Sequence, residues 1–456
     1  MQSVRKKRGS PSLLASLTSI PLIMKSFGDK HLGASPTRSA MTLDRNLSDD
    51  AAHVLSLKTY ASRSNTLVAS ASIVYSFFKT MDKRLVFLAC TGLGRINRGY
   101  ETWANGCFQT LRGDPSLDLY LFKGGGPSSQ KEITVRNLPR STSLAELLAN
   151  VFKKDGYFVE QFTFFFSFLP YLFTRRPDVI FFSDFFLGTF LWNFREKIGK
   201  KLGLKYKLVF CNGAPNGPPF TRCDLVQQLL PCFLKQALDA GEPPEKHFLL
   251  PLGLKIEADV IYSNEEKLAL RRKLGVPVDS KIILSVGGVQ ASHKRMDYLI
   301  SEVTSLPKGE YFLVILGQYG PETGLIKDMA QRLLPGSHLI TSVHFDQVGE
   351  YYAMADIFAL CSLKEGFGLV YIEALRAGLP VLAHDFPVSR EVLQTEGIFA
   401  DFTKPGELAK LIESVSQDET AFSDQAAQRR RDFVRNTYSW SVLKGRYVQM
   451  LTGPIP

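Results

Sequence analysis

The sequence predicts an α/β fold of two doubly wound, Rossmann-like domains facing a cleft, with helices at the carboxyl end. Three observations carry this. Short apolar runs alternate with helical stretches, the pattern of a parallel sheet covered on both faces. The alternation starts at Met81, closes at Pro251-Leu252-Gly253-Leu254, and restarts more regularly after residue 255. Loops bearing glycine or proline follow the apolar runs, at the strand ends where such sheets hold ligands.

In the first half, 85–90 reads as a strand, followed by a loop and a helix towards Leu111. The strand 117–122 ends at Gly124-Gly125-Gly126, 179–182 ends at Ser183-Asp184, and 208–211 runs into Asn212-Gly213-Ala214-Pro215. The turn Gly92-x-Gly94 begins like a dinucleotide fingerprint. Asn97 stands where the third glycine belongs, and no acid closes the second strand, so a tight turn facing the cleft is the better reading. In the second half, 265–274 reads as a charged surface helix broken by Gly275-Val276-Pro277. Strand–helix pairs follow at 282–286 with 296–303, 311–316 with 326–334, 357–361 with 371–377, and 381–383 with 389–393. The chain thus divides into a tail at 1–80, domains at 81–254 and 255–432, and terminal helices at 433–456.

Composition narrows the function. The 456 residues suit two domains, and 45% hydrophobic with 22% charged residues is ordinary for a globular protein. The net charge is +11, but the tail holds eleven Lys/Arg against four Asp and no Glu, which leaves +4 for the rest and argues against a nucleic-acid-binding body. The tail opens with Arg5-Lys6-Lys7-Arg8 and is Ser- and Ala-rich, like a targeting presequence or a disordered extension, and is expected to be dispensable for chemistry. None of the six cysteines forms a C-x-x-C pair; Cys90, Cys211 and Cys361 read as core residues in a reducing compartment. No apolar stretch reaches the roughly 20 residues of a spanning helix: 66–78 is short, and Pro170 interrupts the Phe-rich 161–174. A cytoplasmic protein is expected, with contact to a membrane surface or organelle import through the tail left open.

The chemistry centres on Lys364-Glu365-Gly366-Phe367-Gly368-Leu369-Val370-Tyr371-Ile372-Glu373, between the strand at 357–361 and the helix stopped by Gly378 and Pro380. Its two glycines permit close approach of backbone to a ligand, and a helix N-terminus suits a phosphate. Glu365 on the loop and Glu373 a turn into the helix are placed to accept hydrogen bonds from hydroxyls. The ligand so described has phosphate in the middle and hydroxyl-rich rings at both ends, which fits a nucleotide-sugar.

The second half resembles the retaining glycosyltransferases of the GT-B fold, group 1 (family four). The resemblance rests, in order, on Ser285-Val286-Gly287-Gly288, His293-Lys294-Arg295-Met296-Asp297, Phe312-Leu313-Val314-Ile315-Leu316-Gly317, Asp356-Ile357-Phe358-Ala359, the Glu365–Glu373 stretch and Gly378-Leu379-Pro380-Val381. It covers about 250–450 well; in the first half it rests on Arg98-Gly99-Tyr100-Glu101 and 225–240. It implies that Glu365 contacts the donor sugar and that N–H groups of Gly366, Phe367, Gly368 and Leu369 cradle sugar and pyrophosphate. It further implies that Glu373 binds ribose, that Lys294 helped by Arg295 neutralises the diphosphate, and that Gly99 approaches it from across the cleft. No metal or cofactor is implied; a UDP- or GDP-sugar is the co-substrate, and the acceptor is a sugar, a lipid-linked sugar or a small molecule. The chain departs from the pattern at Gly288, where an arginine often stands, and at Asp184, near where a histidine is common.

Plainer readings stand beside these. Glu365 as a loop acid, Glu373 as a solvated helix residue and Lys294 as a helix cap are each outweighed by the surrounding motif. Asp184 is taken as a catalytic or acceptor-side candidate, against capping of the helix after it. Asn212 reads as a turn former, His293 and His344 as structural, and Arg429-Arg430-Arg431 as a solvated helix face. Lys153-Lys154, Arg175-Arg176 and Lys200-Lys201 beside the Phe-rich segment read as solvated cations around core Phe, with a membrane-surface patch as the rival. The function expected is transfer of a sugar from a nucleoside diphosphate sugar to a hydroxyl with retention. The alternatives are an epimerase or phosphorylase on the same fold, or a degenerate transferase that only binds.

Overall fold

The computed structural model describes residues 83–96, 98–213, 217–256 and 261–454. The expected tail at 1–80 lies outside them. Two wholly parallel sheets organise the described chain. The first takes strands β1 (Arg84–Cys90), β2 (Leu117–Lys123), β3 (Glu132–Thr134), β4 (Val179–Phe182), β5 (Lys207–Cys211), β6 (Leu225–Gln228) and β7 (His247–Leu249). Their order is β3-β2-β1-β4-β5-β6-β7. The second takes β8 (Lys281–Val286), β9 (Tyr311–Leu316), β10 (His338–Thr341), β11 (Ile357–Leu360), β12 (Val381–His384) and β13 (Gly397–Ala400), in the order β10-β9-β8-β11-β12-β13. The strand order reverses between β1 and β4 in one sheet and between β8 and β11 in the other. Those reversals open crevices at the strands' carboxyl ends, where open α/β sheets hold ligands.

Both faces of each sheet are covered, which is why the inner strands are almost wholly apolar: Val86–Cys90 of β1 and all of β9 are buried. On the first sheet lie α1 (Gly99–Leu111), α2 (Ser143–Phe152), α3 (Gly156–Arg175), α4 (Phe185–Lys197) and α5 (Pro231–Asp239). Then come α6 (Asn264–Leu274), α7 (Met296–Thr304), α8 (Thr323–Leu333), α9 (Val348–Met354), α10 (Leu369–Arg376), α11 (Pro387–Leu393) and α12 (Glu407–Gln417). Helix α3 passes through Pro170 where the sequence suggested an interruption. An internal proline costs about 3 kcal/mol, and burial of Phe164, Phe165, Phe168 and Leu172 along the same helix offsets it. All six cysteines are free, and Cys90, Cys211 and Cys361 are buried as expected.

The carboxyl-terminal helices do not stand as a unit of their own at 433–456. Helix α13 (Asp424–Tyr438) begins earlier and packs on α10, whereas α14 (Trp440–Thr452) returns to α1 and β1 of the first sheet. The chain crosses between the two sheets twice, side by side: the Leu254 N–H donates to the Tyr438 carbonyl (2.8 Å) and the Trp440 N–H to the Leu254 carbonyl (3.2 Å). Arg429-Arg430-Arg431 is not a uniformly solvated face either. Arg430 is buried and donates to the carbonyls of Gly378 and Ala421, both at 2.9 Å, and burial lowers its pKa to about 10.

Tyr447 anchors the returning helix. Its hydroxyl donates to the Pro251 carbonyl (2.9 Å) and accepts from Trp103 Nε1 (3.1 Å) and Gln227 Nε2 (2.9 Å). Tyr447→Phe strands these buried groups and should lower stability by about 1–3 kcal/mol. Equilibrium urea unfolding measures this; an unchanged midpoint would show that the hydroxyl network contributes nothing.

Candidate active site

The loop after β11 carries the acid of the central motif. Glu365 is buried, and its Oε1 forms an ion pair with Lys294 Nζ on the loop after β8, so the two strands that flank the crevice are joined by one charge pair. Lys294 is held from three sides. Its stem passes Gly287, where an added Cβ would lie 3.2 Å from the Lys294 side chain. Glu322 accepts from the Ala291 and Ser292 N–H groups (2.7 and 2.9 Å) and pins the loop. The His293 Nε2 lies 3.1 Å from the Lys364 carbonyl, which makes His293 a tie between the two loops rather than a catalyst. Arg295 corrects an expectation. Its guanidinium donates to the Phe402 carbonyl (2.6 Å) and stacks on Tyr298, 4.3 Å from the ring centre, so it is spent on packing and Lys294 carries the positive charge.

Gly368 turns the loop into α10 with φ +78°, and an added Cβ would stand 2.5 Å from the Tyr371 ring, so only glycine fits. Phe367 faces inward, edge-on to Tyr438. Its burial leaves the backbone of Gly366–Leu369, rather than its ring, to meet a ligand. Glu373, in α10, accepts from the Tyr352 hydroxyl (2.9 Å), and burial raises its carboxyl above the usual range.

The first domain contributes the start of a second helix. A Cβ on Gly99 would lie 3.3 Å from Leu369 Cδ1, so the first residues of α1 and α10 meet. Two helix N-termini therefore converge beside the Lys294–Glu365 pair. Free N–H groups and dipoles of the same sign at one place favour an extended anion with charge on both sides.

Asp184 plays a different part from the one expected. It is buried, and both carboxylate oxygens are taken by the protein: Oδ2 by the Thr91 N–H (2.9 Å), Oδ1 by the Thr91 and Tyr157 hydroxyls (3.0 Å each). Burial raises its pKa against the pull of those hydrogen bonds. It occupies the N-cap position of α4 without capping it, and instead ties the end of β4 to the loop that leads to Gly99. It is a positioning residue. Around it, Arg140 pairs with Glu160 (2.5 Å) and lies over the Tyr157 ring, and burial raises the pKa of Glu101. Tyr352, Tyr157, Thr91 and Arg140 were not singled out from the sequence. Each works through a partner distant in the chain, a signal that one sequence does not carry. Asn212 is buried and donates to Gln228 of β6 (3.0 Å), so its side chain ties the end of β5 to β6. Among the described residues no cluster of His, Cys, Asp or Glu is arranged to hold a metal ion.

Comparison with known proteins agrees with this geometry. Residues 266–440 match the family model for glycosyl transferases group 1. An uncharacterized glycosyltransferase of Methanocaldococcus jannaschii is 28% identical over 40% of this chain and 48% of its own length. A D-inositol 3-phosphate glycosyltransferase of Xylanimonas cellulosilytica is 30% identical over 36% of this chain and 42% of its own. The chain thus spans about half the length of the curated relatives it matches. Among solved structures, HepE of Anabaena in complex with UDP and glucose superposes with a TM-score of 0.65, covering 81% of this chain and 100% of that one at 15% identity, a likeness of fold. Residues 266–440 thus resemble the group 1 glycosyl transferases, and the described chain has a fold of two Rossmann-like domains like that of HepE.

Proposed function

We propose that this chain transfers a glycosyl unit from a UDP- or GDP-sugar to an acceptor hydroxyl with retention of configuration. The observation that carries the reading is the convergence of the α1 and α10 N-termini beside Lys294 and Glu365. Charge grows on the diphosphate as the glycosidic bond breaks, and preorganised N–H groups with one cation stabilise it without reorganising. Lys294 would exchange its bond to Glu365 for the diphosphate, which frees the Glu365 carboxylate for sugar hydroxyls. Glu373, oriented by Tyr352, would take the ribose hydroxyls. The anomeric C–O bond to phosphate breaks with its electron pair left on the phosphate oxygen. The acceptor oxygen bonds to the same face of the anomeric carbon, and its proton passes to the leaving phosphate. This front-face route needs no carboxylate nucleophile, consistent with Asp184 being engaged by Thr91 and Tyr157. Relatives named for UDP, glucose and an inositol phosphate support testing UDP-glucose first.

A binding-only role is the second reading. It is favoured by Gly288, six residues before Lys294, where the pattern the chain resembles often has an arginine. Calorimetric binding of UDP- and GDP-sugars, followed by assays of transfer and hydrolysis, separates the readings. Binding without turnover favours the second, and isomerisation or phosphate-dependent release without an acceptor favours an epimerase or phosphorylase.

Lys294→Ala should lower kcat/KM by about 100- to 1000-fold, the scale for losing one charge-stabilising group. Glu373→Gln should act mainly on the donor KM, about tenfold, because a ribose contact is made equally in ground and transition states. Steady-state kinetics on purified variants measures both, and near-normal donor kinetics in the pair rules out these roles. Gly99→Val drives a branched side chain against Leu369 and should cut kcat/KM by at least about tenfold. Its thermal melt should stay close to that of the parent, and unchanged activity would show that the α1–α10 approach is not used.

A further inference from the structure

Helix α2 turns much of its apolar surface outward. It buries Ala145 and Ala149 against the first domain and turns Leu144, Leu147 and Val151 outward at 55%, 61% and 69% exposure. An ordinary surface helix puts its large apolar residues on the core side and polar ones outside. The outward spacing is i, i+3, i+7, so these three side chains form one stripe.

The stripe does not end with α2. Phe152 is exposed and lies 5.4 Å, ring to ring, from Phe162, which lies 4.9 Å from the exposed Phe166 of α3. Phe166 touches Phe165 (5.3 Å), Phe165 touches Phe194 of α4 (5.9 Å), and Phe194 touches the exposed Phe173 (5.9 Å). Ile198 and Leu202, just beyond α4, are about half exposed. An apolar face thus runs along α3, a helix of about 30 Å at 1.5 Å per residue. Its ends carry cations. Lys153 and Lys154 lie at the α2–α3 turn, Arg175 and Arg176 at the far end of α3, and Lys200 and Lys201 after α4, all exposed. Exposed Glu146 and Asp155 are the acids on the same elements, and Glu196 is satisfied by Lys200 (2.5 Å).

We infer that this face docks on an anionic lipid surface and so presents the cleft to an acceptor carried by that surface. A contiguous apolar patch marks an interaction site, and cations at its rim select the partner. Apolar side chains enter the acyl boundary while Lys and Arg reach the headgroups. A second copy of the face would instead set its rim of cations against an identical rim, which like-charge repulsion disfavours. The patch also adjoins the cleft. Tyr157, in the first turn of α3, donates to Asp184 at the end of β4, and Phe158 beside it packs on Phe186 at the start of α4. The acceptor half of the inference rests on the transferase reading; the docking half does not.

Sedimentation of the full chain with vesicles tests it. Binding is expected to vesicles containing phosphatidylglycerol, weakened by salt, and to be much weaker with phosphatidylcholine alone. Leu147→Asp/Val151→Asp should weaken it by at least about tenfold, and Lys153→Gln/Lys154→Gln by roughly fivefold per charge removed. The basic segment 1–80 can itself attract anionic vesicles, so the readout is the difference between parent and variants, all of which retain it. Equal binding by parent and both variants overturns the proposal. So does a dimer, seen by light scattering, that Leu147→Asp dissociates, because a second copy then covers the face. Unchanged melting and UDP binding show that the variants are folded. A variant that keeps donor hydrolysis and loses transfer to a vesicle-borne acceptor supports the acceptor half; equal transfer by parent and variant overturns it. If the vesicle difference persists and no nucleotide-sugar binds, the docking stands and the transferase reading alone fails.

Discussion

No side chain stands between the first turn of α1 and Leu369 at the start of α10. That approach is tight, because a Cβ at position 99 would stand 3.3 Å from Leu369 Cδ1 and the leucine would have to give way slightly. Helix α1 follows β1 and α10 follows β11, each a strand at the point where the order of its sheet reverses. Bringing their N-termini into contact places two sets of unpaired N–H groups on one small volume. Such a volume favours negative charge, and Lys294 is already held by Glu365. The ion pair keeps a cation in place at a site that would otherwise repel it, because helix N-termini carry the same sign of charge as lysine.

Holding the carboxyl ends of the strands together in this way requires the amino ends to be secured elsewhere, and one device does so in both sheets. Asp178, Asp224 and Asp356 each stand immediately before a strand and accept from the N–H of a residue near the start of its neighbour: Leu85 (2.9 Å), Leu208 (2.7 Å) and Ile282 (2.7 Å). Each acid also lies by an arginine, closely for Arg195 with Asp224 and Arg271 with Asp356, loosely at 4.0 Å for Arg84 with Asp178. A misregistered strand would leave a partly buried carboxylate without its donors, which costs more than the bond contributes when made. Register is thereby set at the amino ends, and the loops at the carboxyl ends are free to carry chemistry.

Such long-range ties explain what could be read from the sequence. The strands at 179–182 and 311–316 were legible to the residue because both are buried throughout, and burial alone writes an apolar run. The short β3, β7, β10 and β13 lie at or next to sheet edges and are only half-buried, so their sequences carry no such run. The donor-side candidates were picked out by a local motif: Gly368 takes a left-handed backbone and Lys294 pairs with Glu365, while their donor role and that of Glu373 rest on the proposed function. Asp184 was misjudged because a carboxylate at a strand end looks the same in sequence whether it faces a ligand or Thr91 and Tyr157. Arg295 was misjudged because its neighbour Lys294 meets the site while its own guanidinium turns back to Phe402.

The Phe-rich segment shows the same limit from the other side. Its composition was weighed as core with solvated cations around it, and half of that holds: Phe164, Phe165 and Phe168 are buried. Composition says how much apolar surface exists but not which side of a helix bears it. In α2 Ala145, Ala149 and the half-buried Leu148 face inward against α3, while Leu144 and Leu147 are left for solvent. Exposed Leu and Val on a stable helix lose hydrophobic stabilisation of about 1.5–3 kcal/mol each relative to burial. A fold that forgoes this at three successive turn positions has that surface available for a partner which removes it from water.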